Sequence, residues 1–156
     1  MRKFALLLIF TACSAPNPWK YQSIPVDDPI FDSARLTYVA SSPLQFEIMR
    51  LGQEIEGFLN LTKHKFSSSK KTVKAEFRMG EDKIIAELPV LEGNMRVPLP
   101  LPLTNQLISA LQEGKEVVIL VDGFEERLNP NRFFSFYEKL QRKDSFINYL
   151  PLKGLF

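Results

Sequence analysis

The sequence predicts a mainly β protein, an antiparallel β-sandwich or open barrel with two short helices at about residues 105–113 and 130–142. Apolar and polar residues alternate with period two through most of the chain after residue 44. Glycine-containing turn signals divide these stretches into three hairpins. Helical spacing of apolar residues is confined to two short windows, so strands dominate.

The first segment has the order of a secretory signal. Arg2 and Lys3 precede an apolar block from Phe4 to Ala12, and Cys13, the only cysteine, follows it. As a helix the block would rise about 13 Å, whereas a bilayer core needs about 20 apolar residues. The block is therefore too short to span a membrane by itself, and residues 1–12 are predicted to be a signal peptide.

This segment resembles a bacterial lipoprotein signal, whose final cysteine receives diacylglycerol and becomes the new N-terminus. Phe10-Thr11-Ala12-Cys13 matches the lipobox of that family at its last three positions, with Phe10 where leucine is usual. The resemblance implies lipidation of Cys13 and permanent attachment to a membrane. Ser14 stands where aspartate would retain such a protein at the inner membrane, which implies the periplasmic face of the outer membrane.

A conventional signal-peptidase cut is the alternative. Cleavage after Ala15 would place Pro16 beside the cleaved bond, which disfavours it. Either cut removes two of the 20 basic residues and leaves a mature chain that balances its 18 acidic residues. A neutral chain offers no basic patch, so nucleic acid is not an expected partner. The single cysteine allows no internal disulfide.

Residues 13–43 are predicted to form a lipid-anchored tether. Five prolines between Pro16 and Pro43 punctuate this stretch, and proline is poorly tolerated in long helices and central strands. The second half also contains apolar residues, so it is expected either to pack onto the domain or to hold a partner-binding motif. A single β-rich domain is predicted over residues 44–156.

The first two hairpins follow from alternation and turn chemistry. Residues 44–61 form one around Gly52-Gln53, which suits a type II′ turn, and residues 73–88 form the next around Gly80-Glu81-Asp82. From Met95 to Leu103 the apolar residues alternate with three prolines. Such a segment is predicted to be an edge strand or a polyproline-like crossing.

Thr104 is the predicted N-cap of the first helix, and Gly114 is placed to end it. Val117–Val121 is apolar on both faces and β-branched, which predicts the most buried strand. Asp122-Gly123 is a type I′ turn signal that leads into the third hairpin.

Asn129 and Pro130 predict the cap and first position of the second helix. Its apolar face has four members: Phe133, Phe136, Tyr137 and Leu140. The tail to Phe156 is expected to add a last extended segment.

Few residues suit catalysis or metal binding. His64, the only histidine, lies between two lysines and is interpreted as a solvated side chain. Glu54 with Glu56, and Glu125 with Glu126, are the kind of carboxylate pair that a glycosidase needs, but they are also interpreted as solvated. The sequence predicts no catalytic residue, no metal site and no cofactor, and hence no enzyme.

Three hypotheses about function remain, the last of them an envelope hydrolase that uses Glu54, Glu56, Glu125 or Glu126. The leading one is a membrane-anchored envelope lipoprotein that acts as an interaction or assembly factor. It would bind another envelope protein by strand addition at the predicted edge strand, where Pro98 to Pro102 restrict which segment is open. The alternative is a binding protein whose sheet core opens into an apolar pocket for lipid or another hydrophobic ligand, since the chain contains 13 phenylalanines.

Overall fold

The computed structural model describes residues 17–24, 32–67 and 71–142. Strands make up 50% of these residues, and the two antiparallel sheets do not close into a barrel in the described part of the chain. The elements are β1 Trp19–Ile24, β2 Ser33–Tyr38, β3 Leu44–Leu51, β4 Glu54–Leu61, β5 Thr72–Met79, β6 Asp82–Pro89, β7 Arg96–Leu99, α1 Leu101–Gln112, β8 Val117–Val121, β9 Phe124–Leu128 and α2 Phe133–Gln141. The predicted fold class is confirmed, and of its two forms the structure shows the sandwich.

The two sheets have the strand orders β1-β2-β3-β4-β7 and β6-β5-β8-β9. Their facing sides share one apolar core, in which Phe46, Leu59, Phe77 and Ile119 are fully buried. The helices complete this core: α1 contacts β4 and β8, and α2 contacts β1 and β2. Each sheet thus buries one face, as the alternating sequence requires.

The three predicted hairpins are confirmed with their turns. Gly52 has φ +62°, Asp122 has φ +50° and Gly123 has φ +83°, the left-handed values that these turn types require. β8, predicted to be the most buried strand, buries its inner residues Val117, Ile119 and Val121. Its outer residues Val118 and Leu120 are half-buried, because only one face of β8 points into the core.

The predicted tether over residues 13–43 is wrong for much of its length. β1 and β2 lie within it, and β2 is a central strand of the five-stranded sheet. Ala34 and Leu36 have no exposed surface. The prolines of this region precede or follow the strands and do not interrupt them, so the sheet loses no hydrogen bond to proline. The described domain therefore begins before residue 44.

The first helix begins four residues before its prediction. Its N-cap is Pro100, and Thr104 lies inside the helix, fully buried, with Oγ1 donating to the Pro100 carbonyl at 3.2 Å. Pro102 fits the first turn because N–H groups there have no helical acceptor to lose. At the other end, Lys115 N–H donates to the Ala110 carbonyl at 2.9 Å. This is the Schellman arrangement expected after Gly114.

The second helix begins three residues after its prediction. Asn129 Oδ1 accepts a hydrogen bond from Asn131 N–H at 2.9 Å, so it caps a turn before the helix. The helix follows Arg132, which has φ +65°. Its predicted apolar face is confirmed, with Phe133 and Leu140 fully buried. The predicted C-terminal segment lies outside the described residues.

Candidate interaction surface

The edges of the sheets are the places where this fold could accept a strand from a partner, because outward N–H and C=O groups there lack a neighbouring strand. The edge strands are β1 and β7 in one sheet and β6 and β9 in the other. Along an antiparallel pair, residues bonded to the neighbour alternate with residues whose backbone groups point away. One hydrogen bond in each pair therefore identifies the outward residues.

The β7 edge is closed by its own loop and by a proline. Leu61 N–H donates to the Met95 carbonyl at 2.9 Å, in line with the β4–β7 register. By alternation, the backbone groups of Arg96 and Pro98 then point outward, away from β4. Leu91 N–H donates to the Arg96 carbonyl at 2.9 Å, and Pro98 has no N–H. The predicted edge position is confirmed for Arg96–Leu99, but the prediction of an extended chain as far as Leu103 is wrong because α1 begins at Leu101. Little of this edge is open to a partner.

At the β9 edge a carboxylate that reaches out from inside the sandwich occupies one outward donor. The two-residue turn of the hairpin sets a register that turns the groups of Glu125 and Arg127 outward. Glu126 is 5% exposed, and its Oε1 accepts the Arg127 N–H at 2.9 Å. Burial raises the pKa of the Glu126 carboxyl, whereas the Arg127 N–H and the Ser42 hydroxyl act in the opposite direction.

The end of β9 is bound to the other sheet through Asn129. Its N–H donates to the Tyr38 hydroxyl at 3.2 Å, and its carbonyl accepts the Trp19 indole N–H at 2.8 Å. Both backbone groups of Asn129 are therefore occupied. Burial is the main cause that raises the pKa of Tyr38.

At the β1 edge a side chain takes the place of a neighbouring strand. Val39 N–H donates to the Pro18 carbonyl at 2.9 Å, so the groups of Trp19 point outward. Asn17 Oδ1 accepts the Trp19 N–H at 3.2 Å, and Asn17 Nδ2 donates to the Trp19 carbonyl at 3.4 Å. The first outward position of β1 is thus occupied.

Among the described edges, β6 has the longest run of outward residues whose backbone groups take part in no hydrogen bond. Val90 N–H donates to the Lys71 carbonyl at 2.9 Å, and this pair continues the β5–β6 register. Alternation turns the backbone groups of Lys83, Ile85 and Glu87 outward. Within the described residues no hydrogen bond reaches these N–H and C=O groups. We call these three residues the β6 edge.

The side chains of the β6 edge all lie on the outer face of the four-stranded sheet. Lys83 Nζ is 2.9 Å from Glu76 Oε2, and Thr72 Oγ1 donates to Glu87 Oε1 at 2.6 Å. Ile85 lies between the two charged residues and is 52% exposed. The edge therefore presents a cation, an apolar side chain and an anion at equal spacing.

A charged cluster on the outer face of the five-stranded sheet joins its strands. The Glu47 side chain is 7% exposed, with Oε1 2.7 Å from Arg96 Nη2 and Oε2 3.9 Å from Arg35 Nη1. The Arg96 guanidinium carbon lies 3.7 Å from the centre of the Phe58 ring, a cation–π contact. These contacts join four strands, and among the buried side-chain N and O atoms of the cluster in the described residues only the Nε of Arg96 has no hydrogen-bond partner, so the cluster is interpreted as structural.

Two open grooves mark the surface. One has a volume of about 410 Å³ and is lined in part by Lys20, Gln22 and Arg35. The other lies between α1 and the start of β6, has a volume of about 530 Å³ and includes Asp82 and Asn105 in its lining. Neither has the mostly apolar walls that lipid or another hydrophobic ligand requires. That alternative stays a prediction from the sequence.

The residues singled out in the sequence do not converge. Glu54 and Glu56 are exposed on β4, whereas Glu125 and Glu126 belong to the other sheet and lie on opposite faces of β9. The carboxylate pairing that would suit a glycosidase is therefore absent at Glu125 and Glu126. No group of three or more potential metal-ligating residues occurs in the described ranges.

His64 is exposed, as interpreted from the sequence. Its ring centre lies 5.6 Å from that of Phe124, and Ser67 nearby in sequence donates through its N–H to Asp122 Oδ2 at 2.6 Å. These contacts hold the segment after β4 against the β8–β9 turn. Cys13, the predicted lipidation site, lies outside the described residues.

The sequence did not lead to a prediction of the β6 edge, although the residue pattern of this strand contains one indication of it. Lys83, Ile85 and Glu87 are spaced by two residues on the polar face of a predicted strand, where an exposed isoleucine between opposite charges is unusual. Alternation alone does not show which strand lies at an edge. That depends on the order of the strands in the sheet.

The fold and its edges define a class, an antiparallel two-sheet β-sandwich in which, among the described residues, the β6 edge has no neighbouring strand. No family model, curated protein or solved structure matches the chain. Neither of the described helices is long and apolar enough to cross a membrane.

Proposed function

We propose that the chain is a bacterial envelope lipoprotein, held on the periplasmic face of the outer membrane through lipid on Cys13. Its β-sandwich acts as a non-enzymatic interaction or assembly factor. The observation that carries the interaction part is the β6 edge, where the backbone groups of three consecutive outward residues form no hydrogen bond within the described part of the chain.

The contrast between edges supports a directed interaction. The Leu91 N–H and Pro98 limit β7, and the Glu126 carboxylate occupies a donor of β9. Proteins commonly protect sheet edges in these ways against unwanted pairing. β6 leaves the backbone groups of Lys83, Ile85 and Glu87 without hydrogen bonds in the described residues. Strand addition there supplies main-chain hydrogen bonds, with register chosen by the side chains.

The position of β1 brings the sandwich close to the proposed anchor. β1 begins at Trp19, so the segment between Cys13 and the first strand reaches at most about 20 Å when fully extended. A tether ending at residue 43 would reach several times farther. The partner of this domain is therefore a component at or near the same membrane surface.

Replacing Cys13 with serine is expected to abolish lipidation, because serine lacks the thiol that receives the diacylglycerol. Radiolabelled palmitate should enter the wild-type protein and be absent from Cys13→Ser. Ser14→Ala is the matched control and should retain the label. If Cys13→Ser retained the label, the proposed lipid anchor on Cys13 would be contradicted.

Replacing Ile85 with proline is expected to prevent strand addition while preserving the fold. The N–H at position 85 points away from β5, so proline there removes a donor to the partner and no bond within the sheet. Wild-type cells treated with an amine-reactive cross-linker should show a discrete adduct of this protein in the membrane fraction. Ile85→Pro should lose that adduct.

Ile85→Val is the matched control, since valine keeps the N–H and the strand preference. It should retain the adduct, and circular dichroism should show the same strand content for both variants. An adduct equally strong in a folded Ile85→Pro variant would contradict binding at this edge.

A further inference from the structure

We infer that the partner of the β6 edge is a second copy of the chain, joined by antiparallel pairing of β6 with β6 about a two-fold axis at Ile85. This inference rests on the proposed function, because it names the occupant of the same edge. It would join two four-stranded sheets into one continuous sheet.

Charge complementarity selects this pairing. With Ile85 opposite Ile85 of the second copy, Lys83 of each copy lies opposite Glu87 of the other. The pattern of cation, apolar residue and anion on one face is therefore complementary to itself when the strand is reversed. This is what a two-fold interface requires, since both copies contribute the same surface.

The backbone favours the same register. Lys83, Ile85 and Glu87 are the residues of β6 whose groups point outward, and in this register each lies opposite another outward residue. The three residue pairs then exchange about six N–H to C=O hydrogen bonds. Pro89 lacks the N–H that would extend the ladder, and in the second copy it faces the β5–β6 turn. Because of the two-fold symmetry, the hydrogen-bonded ladder therefore stops in the same way at both of its ends.

Other symmetric registers lack this complementarity: an axis at Ile84 or Ala86 sets Ile85 opposite Lys83 or Glu87, and two further axes place like charges together. An axis at Lys83 sets the two Lys83 side chains opposite each other, and an axis at Glu87 does the same for the two carboxylates. Like charges directly opposite on a sheet are destabilising. Only the axis at Ile85 combines an apolar pair with two opposite-charge pairs.

Contacts within each copy keep the side chains on the face where they would meet. Lys83 Nζ lies 2.9 Å from Glu76 Oε2, yet 51% of the Lys83 side chain is exposed. Thr72 Oγ1 donates to Glu87 Oε1. A second acceptor for Lys83 and a second donor for Glu87 are therefore supplied by the other copy without breaking these contacts.

The membrane strengthens the pairing. Copies anchored to one surface meet at a higher effective concentration than free copies, so a modest interface suffices. The short distance from Cys13 to β1 keeps both sandwiches near the surface.

The test uses two full-length copies with different affinity tags, expressed together in the same cells and solubilised in mild detergent. Wild-type copies should purify together. Lys83→Glu in both copies should lower recovery of the second copy by about tenfold or more, since each copy then opposes carboxylates at both charged positions. Glu87→Lys in both copies should have the same effect through opposed ammonium groups.

Restoring the charges should restore the pairing. One copy with Lys83→Glu and the other with Glu87→Lys should purify together within about twofold of wild type, and so should two copies that each carry both substitutions. This rescue separates loss of pairing from loss of folding, because the rescued pairs contain the same substitutions.

Any of four results would overturn the inference. Wild-type copies that do not purify together exclude self-pairing, and single charge reversals that leave recovery unchanged exclude the register. If cross-linked adducts still depend on the N–H at position 85 but contain a different protein, the proposed function stands and this inference fails. If Ile85→Pro changes neither the adducts nor the recovery, both fail.

Discussion

Trp19→Ala is expected to lower the free energy of unfolding by about 3–5 kcal/mol. Trp19 is 2% exposed, and its ring centre lies 4.8 Å from those of Tyr38 and Phe133. Its indole N–H donates to the Asn129 carbonyl at 2.8 Å. Truncation leaves a large cavity where β1, α2 and the end of β9 meet, and it leaves that carbonyl without its partner. Urea unfolding followed by circular dichroism measures the change.

Two control substitutions test whether the loss of stability comes from the buried packing of Trp19 and not from removing an aromatic ring as such. Trp19→Phe keeps much of the apolar volume and loses the indole donor, so it should cost about 1–2 kcal/mol. Phe134→Ala removes an aromatic ring that is 56% exposed and should change stability by at most about 0.5 kcal/mol. If Trp19→Ala unfolded at the same urea concentration as wild type, β1 would be a peripheral segment, as the tether prediction had it.

Arg50→Met is the second substitution with a large expected effect, again about 3–5 kcal/mol. Arg50 is 3% exposed and lies on β3. Its Nη2 is 2.7 Å from Asp32 Oδ2, and its Nε donates to the Leu140 carbonyl in the last turn of α2. Its Nη1 donates to the Gly52 carbonyl at 3.0 Å. Methionine fills similar space but leaves a carboxylate and several carbonyls without their donor.

Arg78→Met is the matched control. Arg78 also pairs with a carboxylate, Glu76, at 2.6 Å, but its side chain is 49% exposed, and exposed pairs contribute less than about 1 kcal/mol. Hydrogen exchange should show that the amides of α2 lose protection in Arg50→Met and keep it in Arg78→Met. Equal stability of the two variants would contradict a structural role for Arg50.

The features that were predictable depend on neighbours in sequence. The Gly52 and Asp122-Gly123 turns require left-handed backbone values that few residues adopt, so their residue types identify the hairpins. The end of α1 at Gly114 has the same local cause. The apolar face of α2 follows from its spacing. These predictions are right because the residues that determine each element lie within a few positions of one another in the sequence.

The errors arise where partners are distant in sequence. The prolines around β1 and β2 predict a tether. Their effect on a sheet depends on where they lie, and these prolines lie before or after the strands and not within them. The predicted cap at Thr104 was wrong because Pro100 starts the helix earlier and Thr104 is buried. Glu126 was interpreted as solvated, but it lies on the inner face of β9 and closes that edge. Its role depends on the strand order.

By itself, the sequence determined a mainly β domain with three hairpins and two helices, whereas lipid on Cys13 stays a prediction. The determined properties follow from local turn chemistry and side-chain periodicity. Only the tertiary structure decided which strands are central and that, in the described residues, the β6 edge has no neighbouring strand. Strand order and burial are set by contacts between residues far apart in the chain, and no local pattern specifies them.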